Sequence, residues 1–236
     1  MAATARSMMW YYRRTFRRRL VDADLERVRS LMRGVVLDLG GERIGRRGVF
    51  RPPENGSVRL IVANLDPGTG PDLVCDAAAV ALRDATVDVV VCSELLEHLA
   101  DPDSALAEIA RVLRPGGVLI LSTPFLYRLH GDPQDFQRLT DVRLRAMLDR
   151  LKFDIIELRR QGAFFLVLAD MLHQAAGAGP RWAKVLLTPL LMVLTGILTR
   201  LDSLPATVGS PMLSSFTTGF FVVAFKRDGQ STSPPS

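Results

Sequence analysis

Apolar runs and polar breaks alternate most clearly between Val87 and Phe125. Val87–Cys92 is apolar and β-branched apart from one aspartate, as expected for a strand covered on both faces. The next segment predicts a helix, because apolar residues recur on one helical face, at Leu106, Ile109, Ala110 and Leu113. The Pro115-Gly116-Gly117 turn ends this helix, and Val118–Leu121 is a second apolar strand. The pattern predicts a βαβ unit, in which ligands bind beyond the carboxyl ends of the strands.

The same alternation extends through most of the chain. Further strands are predicted at Val35–Leu39, Val58–Ala63, Leu73–Cys75, Phe153–Arg159 and Phe216–Lys226, with helices at 8–33 and Asp141–Leu151 and a helical turn at Ala77–Leu82. Since strands alternate with helices or loops, we expect an α/β fold with a mostly parallel sheet. We divide the chain into a basic helical segment at 1–33, one domain at 34–226 and a disordered tail at 227–236.

An apolar insertion at 163–211 precedes the last predicted strand. Its longest run, Val185–Thr199, has 15 residues between Lys184 and Arg200 and contains a proline. A membrane-spanning helix needs about 20 residues, so the length of this run argues against a span. Two interpretations remain: an element that packs on the domain, or an interfacial element that contacts lipid.

The positive charge of the chain is concentrated at its start. The net charge is +5, but residues 1–20 hold six arginines and no acid, so the other 216 residues sum to about −1. Four aromatic residues lie among these arginines, a combination that suits an anionic membrane surface. A solvated helix face is the plainer alternative, and a nucleic-acid contact or a mitochondrial targeting peptide is less favoured.

The cysteines and histidines limit the chemistry and the compartment. Two cysteines form no disulfide framework, so we expect a cytoplasmic protein, with peripheral membrane attachment as the further expectation. The three histidines lie far apart in the sequence and give no metal-ligand spacing. No metal site is predicted.

Polar and small residues stand where the predicted strands end. Asp38 lies near the end of the first strand and the pair Gly40-Gly41 follows it, where a missing Cβ lets the backbone approach a ligand closely. Asn64 and Asp66 follow the second strand, where a polar side chain can bind the hydroxyls of a ribose.

Two further strand ends carry polar residues. Asp76, followed by Ala77, ends the third strand and can accept a hydrogen bond from an exocyclic amine. Ser93 and Glu94 end the fourth strand. Plain Asx turns are the structural alternative for the segments at Asn64 and Asp76.

Taken together, the chain resembles class I S-adenosylmethionine-dependent methyltransferases. The matching segments are LDLGG, NLDP, LVCDA, VDVVVCSELLEHLADP and EIARVLRPGGVLILSTPF, in the order and spacing of that family. The resemblance implies a Rossmann-like sheet of seven strands with helices on both faces, the last strand antiparallel, and S-adenosyl-L-methionine as cofactor. Its implied cofactor-binding residues are Asp38, Gly40, Gly41, Asn64, Asp66, Asp76, Ala77, Ser93 and Glu94. The chain departs from the family pattern at Glu42, which replaces a glycine, and at Asn64, which replaces an acid.

The loop HGDPQDFQRLT (His130–Thr140) is similar to one in methyltransferases associated with glycan biosynthesis. His130 is the candidate base, because histidine is mostly neutral at pH 7, and Asp132 or Asp135 is expected to orient it. Asp135 and Arg138 are also the candidate substrate-binding residues, with a structural ion pair between them as the alternative.

Two residues near the end of the fourth strand receive structural interpretations. We expect the Glu97 carboxylate to bond backbone amides and His98 to pack under the cofactor loop.

The sequence thus predicts a methyltransferase that uses S-adenosylmethionine on a hydroxyl of a sugar or lipid-linked glycan. The alternative is a membrane-docked module whose cofactor pocket has degenerated. A dinucleotide-dependent oxidoreductase is disfavoured, because Glu42 occupies a position where its fingerprint requires glycine.

Overall fold

The computed structural model describes residues 11–45, 48–54, 56–131 and 134–228. They form a seven-stranded sheet in the order β3-β2-β1-β4-β5-β7-β6. The strands are β1 (Gly34–Leu39), β2 (Val58–Asn64), β3 (Leu73–Val74), β4 (Val87–Ser93), β5 (Leu113–Pro124), β6 (Phe153–Arg160) and β7 (Gly219–Lys226). The helices are α1 (Phe16–Arg27), α2 (Pro102–Val112), α3 (Asp141–Arg150), α4 (Phe164–Ala178), α5 (Arg181–Asp202) and α6 (Pro205–Val208). The predicted α/β fold is confirmed.

Strand direction follows the expected pattern. β1 pairs in parallel with β2 and β4, and β4 pairs in parallel with β5. β7 runs antiparallel to both of its neighbours, β5 and β6, so the other six strands share one direction. Their carboxyl ends therefore lie at one edge of the sheet, which we call the carboxyl edge.

Both faces of the central strands are buried, which explains their unbroken apolar runs. In β1, Leu37 packs into one core cluster and Val36 into the other. In β4, Val90 and Val89 divide between the same two clusters. Successive side chains of a strand point to opposite faces, so a sheet with two covered faces needs apolar residues at every position.

Several helix boundaries in the structure differ from the predicted ones, for reasons that lie in the local sequence. Of the helix predicted at 8–33, residues 8–10 lie outside the described part, and α1 begins only after Thr15, whose hydroxyl accepts from the Arg18 amide. A short 3-10 helix follows it at Arg29–Leu31. The predicted helical turn at Ala77–Leu82 is wrong, because this segment forms non-helical turns and bends.

The end of one helix and the start of the last strand also differ from the predicted positions. α2 ends at Val112, before the predicted Pro-Gly-Gly stop, and that turn belongs to the start of β5. The last strand starts at Gly219 rather than Phe216.

The apolar insertion is helical and leaves the sheet at the carboxyl edge. It follows the carboxyl end of β6 and consists of α4, α5 and α6 before the chain returns in β7. The 15-residue apolar run belongs to the longer α5, which has 22 residues and contains Pro189. By length and composition α5 could cross a membrane. Only 17% of its most apolar 18-residue stretch is buried within the protein. The length argument against a span therefore does not hold.

Candidate functional site

The loop after β1 requires its two glycines for different reasons. Gly40 has φ +79° and its amide donates to the Ala63 carbonyl at 2.8 Å. A Cβ on Gly41 would lie 2.4 Å from Cγ of Asp38, so the Asp38 carboxylate fills the space that a side chain would take. The loop therefore brings bare backbone and one carboxylate together at the carboxyl edge.

Asn64 braces this loop from the end of β2. Its side-chain amide donates to the carbonyls of Gly41 at 2.9 Å and Gly40 at 3.3 Å. Its Oδ1 accepts from the Asp66 amide at 2.9 Å. The structure thus gives Asn64 a loop-supporting position, and its contact with a ribose stays a prediction.

The neighbouring carboxylates are exposed and sit in Asx turns. Asp66 accepts from the Gly68 amide at 2.8 Å, and Asp76 accepts from the Ala78 amide at 2.9 Å. Ala77 is buried beside Asp76. Both segments thus form the Asx turns that were the structural alternative to a ligand-binding role. Each acid can still accept further hydrogen bonds at the carboxyl edge, since a carboxylate has about four lone-pair sites.

Ser93 and Glu94 lie at the carboxyl end of β4, as predicted. The hydroxyl of Ser93 lies 3.0 Å from that of Ser122 on β5. Glu94 adopts φ +55°, a left-handed conformation that turns the chain out of the strand. Its Oε1 accepts from the Ser122 hydroxyl at 2.9 Å.

An arginine that the sequence analysis did not single out holds the Glu94 carboxylate. Arg17 of α1 is 2% exposed, and its Nε donates to Glu94 Oε2 at 2.7 Å while Nη2 donates to Oε1. Burial acts to raise the pKa of Glu94, but the Arg17 charge outweighs it and the pKa lies below its usual value. Glu94 is therefore ionised and tied to α1.

Arg17 also forms a hydrogen bond outside its ion pair with Glu94. Its Nη1 donates to Gln161 Oε1 at 3.0 Å, and Gln161 in turn donates to Asp24 at 2.7 Å. A Cβ on Gly219 would lie 1.9 Å from Arg17 Nη1, so this position must be glycine for the arginine to fit. Arg17 is one of six arginines among residues 1–20, and the sequence carries no signal that marks it as the buried one.

Glu97, His98 and His130 come together in a cluster that the sequence did not indicate. Each residue offers a nitrogen or oxygen atom, and these atoms all lie within 4.8 Å of one another. The rings of His98 and His130 are 5.1 Å apart between centroids, at a steep angle. Such donors suit a divalent cation or a proton-transfer site, and the cluster lies at the carboxyl edge because β4 and β5 end there.

Glu97 is the unusual member of the cluster. It is fully buried, and neither carboxylate oxygen has a hydrogen-bond partner among the described residues. The expected bonds from its carboxylate to backbone amides are therefore not formed. Burial, with the nearby Glu94 charge second, raises the pKa of Glu97 to about 8.

His130 has the environment of a neutral acceptor. Burial lowers its pKa, and the Asp135 carboxylate opposes this effect only in part. Nδ1 of His130 lies 3.2 Å from Asp135 Oδ2, near enough for a charge interaction although it forms no hydrogen bond with any described residue. The backbone amide of His130 donates to the same oxygen at 3.0 Å. Asp135 thus lies where an orienting carboxylate is expected, while Asp132 lies outside the described residues.

The two predicted substrate-binding residues bind each other. Arg138 grips Asp135 with both terminal nitrogens, and its Nη2 lies 2.7 Å from Oδ2. The hydrogen bond from Arg138 keeps the pKa of Asp135 well below its usual value. The structure therefore contains the ion pair that was the alternative, and substrate contact by either residue stays a prediction.

Comparisons with known proteins relate part of this chain to methyltransferases. Residues 60–121 match the family model described as a methyltransferase domain. A probable S-adenosylmethionine-dependent methyltransferase from Mycolicibacterium smegmatis is 53% identical over 47 residues, which is 20% of this chain and 18% of that protein. A ubiquinone biosynthesis O-methyltransferase from Parvibaculum lavamentivorans is 41% identical over 59 residues, 25% of this chain and 23% of that protein. The aligned part thus spans about a fifth of each relative.

Solved structures extend the likeness to nearly the whole fold. A SAM-dependent methyltransferase from Archaeoglobus fulgidus has a TM-score of 0.54 at 16% identity, covering 89% of this chain and 94% of that one. The [4+2]-cyclase SpnF has a TM-score of 0.53 at 17% identity, covering 90% and 82%. The chain therefore has the Rossmann-like fold of these solved structures, and residues 60–121 are similar to a methyltransferase domain.

Proposed function

We propose that this chain is an enzyme that transfers the methyl group of S-adenosylmethionine to a hydroxyl. The observation that carries the proposal is the position of the His130–Asp135 pair, at the same carboxyl edge as the Gly40-Gly41 loop. Relatives named as O-methyltransferases support oxygen as the acceptor atom.

The residues at the edge fit the cofactor by their chemistry. Bare backbone at Gly40-Gly41, the Asp38 carboxylate beside it and the exposed acids Asp66 and Asp76 can hold a ribose and an amine. When bound, the cofactor supplies an activated methyl group on a sulfonium.

His130 is positioned to accept the proton that the hydroxyl loses. Its lowered pKa leaves the ring neutral at pH 7, and Asp135 beside Nδ1 favours the tautomer whose Nε2 can accept. Proton removal by a positioned base contributes roughly 10²–10⁴-fold to such reactions. Asp135 acts on the acceptor through His130 and is a positioning residue.

The acceptor that we propose is a hydroxyl of a sugar or a lipid-linked glycan. The His130–Thr140 loop resembles that of glycan-associated methyltransferases. The apolar insertion leaves the sheet at the carboxyl edge, which suits an acceptor carried by a lipid.

Calorimetry with S-adenosylhomocysteine, the demethylated cofactor, tests the first part of the proposal. We expect the wild-type protein to bind it and Gly41→Ala to bind it roughly tenfold or more weakly, because the added Cβ displaces the Asp38 carboxylate. Gly56→Ala is the matched control, since nothing lies within 4 Å of its Cβ position. Absence of binding by the wild-type protein would refute the cofactor assignment.

A non-catalytic module is the second candidate. Glu42 and Asn64 depart from the methyltransferase pattern, and this departure is the observation that favours it. Transfer of labelled methyl to a panel of glycan and lipid-linked glycan acceptors distinguishes the two. Binding of the cofactor with no transfer to any acceptor would favour the module.

A further inference from the structure

One face of α5 exposes a continuous stripe of large apolar side chains. Trp182 is 72% exposed, Leu186 71% and Leu190 66%, and Val193 and Ile197 continue the stripe at 63% and 48%. These positions are three or four residues apart, so they line one side of the helix. A continuous exposed stripe of several large apolar side chains marks a surface that binds a protein or a membrane.

The opposite face of α5 is fixed to the protein. Thr188, Thr195 and Leu198 are buried there. The Thr195 hydroxyl lies 2.8 Å from the Tyr11 hydroxyl, and the Thr188 hydroxyl donates to the Tyr12 hydroxyl at 3.0 Å. Lipid therefore cannot surround this helix on all sides, although its 22 residues are long enough to cross a membrane.

Basic residues border the stripe. Arg181 and Lys184 lie at one end of α5 and Arg200 at the other, and no acid occurs between Arg181 and Leu201. Arg13, next to the anchored Tyr12, is exposed. The edges of the apolar face thus carry only positive charge over this length.

We propose that α5 docks the protein flat on an anionic lipid bilayer. The Trp182–Ile197 stripe enters the boundary between headgroups and acyl chains, and the basic residues at its ends meet the lipid phosphates. Long basic side chains can place their apolar stems on the stripe and their charges among the headgroups.

Charge complementarity favours this occupant over a second copy of the chain. Two copies packed through α5 would bring basic ends together in either a parallel or an antiparallel arrangement. An anionic leaflet neutralises the same charges. The docking does not depend on methyl transfer, so failure of the proposed enzymatic function leaves it standing.

Vesicle flotation of the full chain tests the proposal. We expect the protein to float with vesicles of phosphatidylcholine and phosphatidylglycerol at low salt, and less with pure phosphatidylcholine or at high salt. Leu186→Glu/Leu190→Glu should weaken partitioning roughly tenfold or more, since it removes two large apolar side chains from the stripe. Arg181→Glu/Arg200→Glu should remove the preference for phosphatidylglycerol.

The matched control is Val142→Glu, which places an acid at a 73% exposed apolar position on α3. It should float like the wild-type protein. Circular dichroism and the thermal midpoint should show that all variants fold, because every substituted side chain is exposed.

Four results would overturn the proposal. The first two are absence of flotation with anionic vesicles and equal flotation of the Leu186→Glu/Leu190→Glu variant. Resistance to carbonate extraction would mean that α5 spans the bilayer. A wild-type dimer that this variant converts to a monomer, detected by light scattering, would assign the stripe to a second copy.

Discussion

Glu97 and His130 define the chemistry of this molecule at the scale of single residues. Glu97 is a fully buried carboxyl group to which no residue in the described part of the chain forms a hydrogen bond, an arrangement that costs stability. It lies beside two histidines, and perturbed groups that cluster in this way are typical of functional sites. Its burial and its neighbours are consistent with a role in the site rather than in holding the fold.

Glu97→Gln should make stability less dependent on pH. The pKa of Glu97 rises from its usual 4.5 to about 8 on folding, so the folded state binds a proton that the unfolded state releases between these values. Its contribution to stability is complete below pH 4.5 and is lost as the pH rises towards 8, by up to about 1.4 kcal/mol per pH unit. The variant should lack this component in urea denaturation at a series of pH values.

Glu26→Gln is the control for this series, because Glu26 is exposed on α1. It should retain the pH dependence of the wild-type protein between pH 5 and 8. An unchanged slope in Glu97→Gln would contradict the raised pKa.

His130→Ala should reduce the rate of methyl transfer by roughly 10²–10⁴-fold if His130 is the base. The wild-type rate should fall with acidity at a midpoint below pH 6.5, since burial lowers the pKa of His130. Asp135→Asn should move that midpoint lower still, because the Asp135 charge favours the protonated ring. Initial rates measured against pH check both expectations.

Leu129→Ala controls for disturbance of the loop, since Leu129 adjoins His130 and is 81% exposed. It should keep the wild-type rate and profile. Complete loss of wild-type transfer on adding a chelator would instead make His130 and its neighbours metal ligands.

At the scale of elements, Arg17 joins α1 to the carboxyl edge of the sheet. Its guanidinium binds Glu94 after β4 and Gln161 after β6. The start of α1 also contacts the insertion, because Asp170 of α4 accepts from the Phe16 amide at 2.7 Å. The N-terminal segment therefore connects the candidate site with α4 and α5.

Arg17→Met should destabilise the protein by roughly 3–5 kcal/mol, since it leaves the largely buried Glu94 carboxylate without its partner. Chemical denaturation measures the change. Arg29→Ala breaks an exposed pair with Glu26 and should cost less than about 1 kcal/mol.

The double variant Arg17→Met/Glu94→Gln supplies a further check. It should recover part of the lost stability, because no unpaired charge remains. Equal stability of Arg17→Met and the wild-type protein would show that this ion pair contributes little.

At the scale of the whole molecule, the carboxyl edge of the sheet gathers residues that are distant in the sequence. Asp38 lies near the end of β1 and Gly41 just after it, Asn64 ends β2, and His130 follows β5. The insertion leaves the sheet at the same edge. A cofactor loop, a histidine cluster and an apolar helix thus belong to one side of the protein, which fits an acceptor presented at a membrane.

The sequence alone determined where the strands lie along the chain, the glycine loop and the class of fold, but not the order of the strands within the sheet. Apolar runs report burial on both faces of a strand, and turn residues report where strands end, so these features are local. The pair Asp38–Gly41 was predictable because the two residues are only three positions apart, at the end of β1 and in the loop after it.

Only the tertiary structure decided which of these residues meet. Glu97 and His130 are 33 positions apart, and Arg17 and Glu94 are 77 apart, so no local pattern links them. The composition of the insertion likewise showed that α5 is apolar, but not which side of the helix packs against the rest of the protein. That depends on Thr188 and Thr195 packing against Tyr12 and Tyr11, contacts that exist only when the chain has folded.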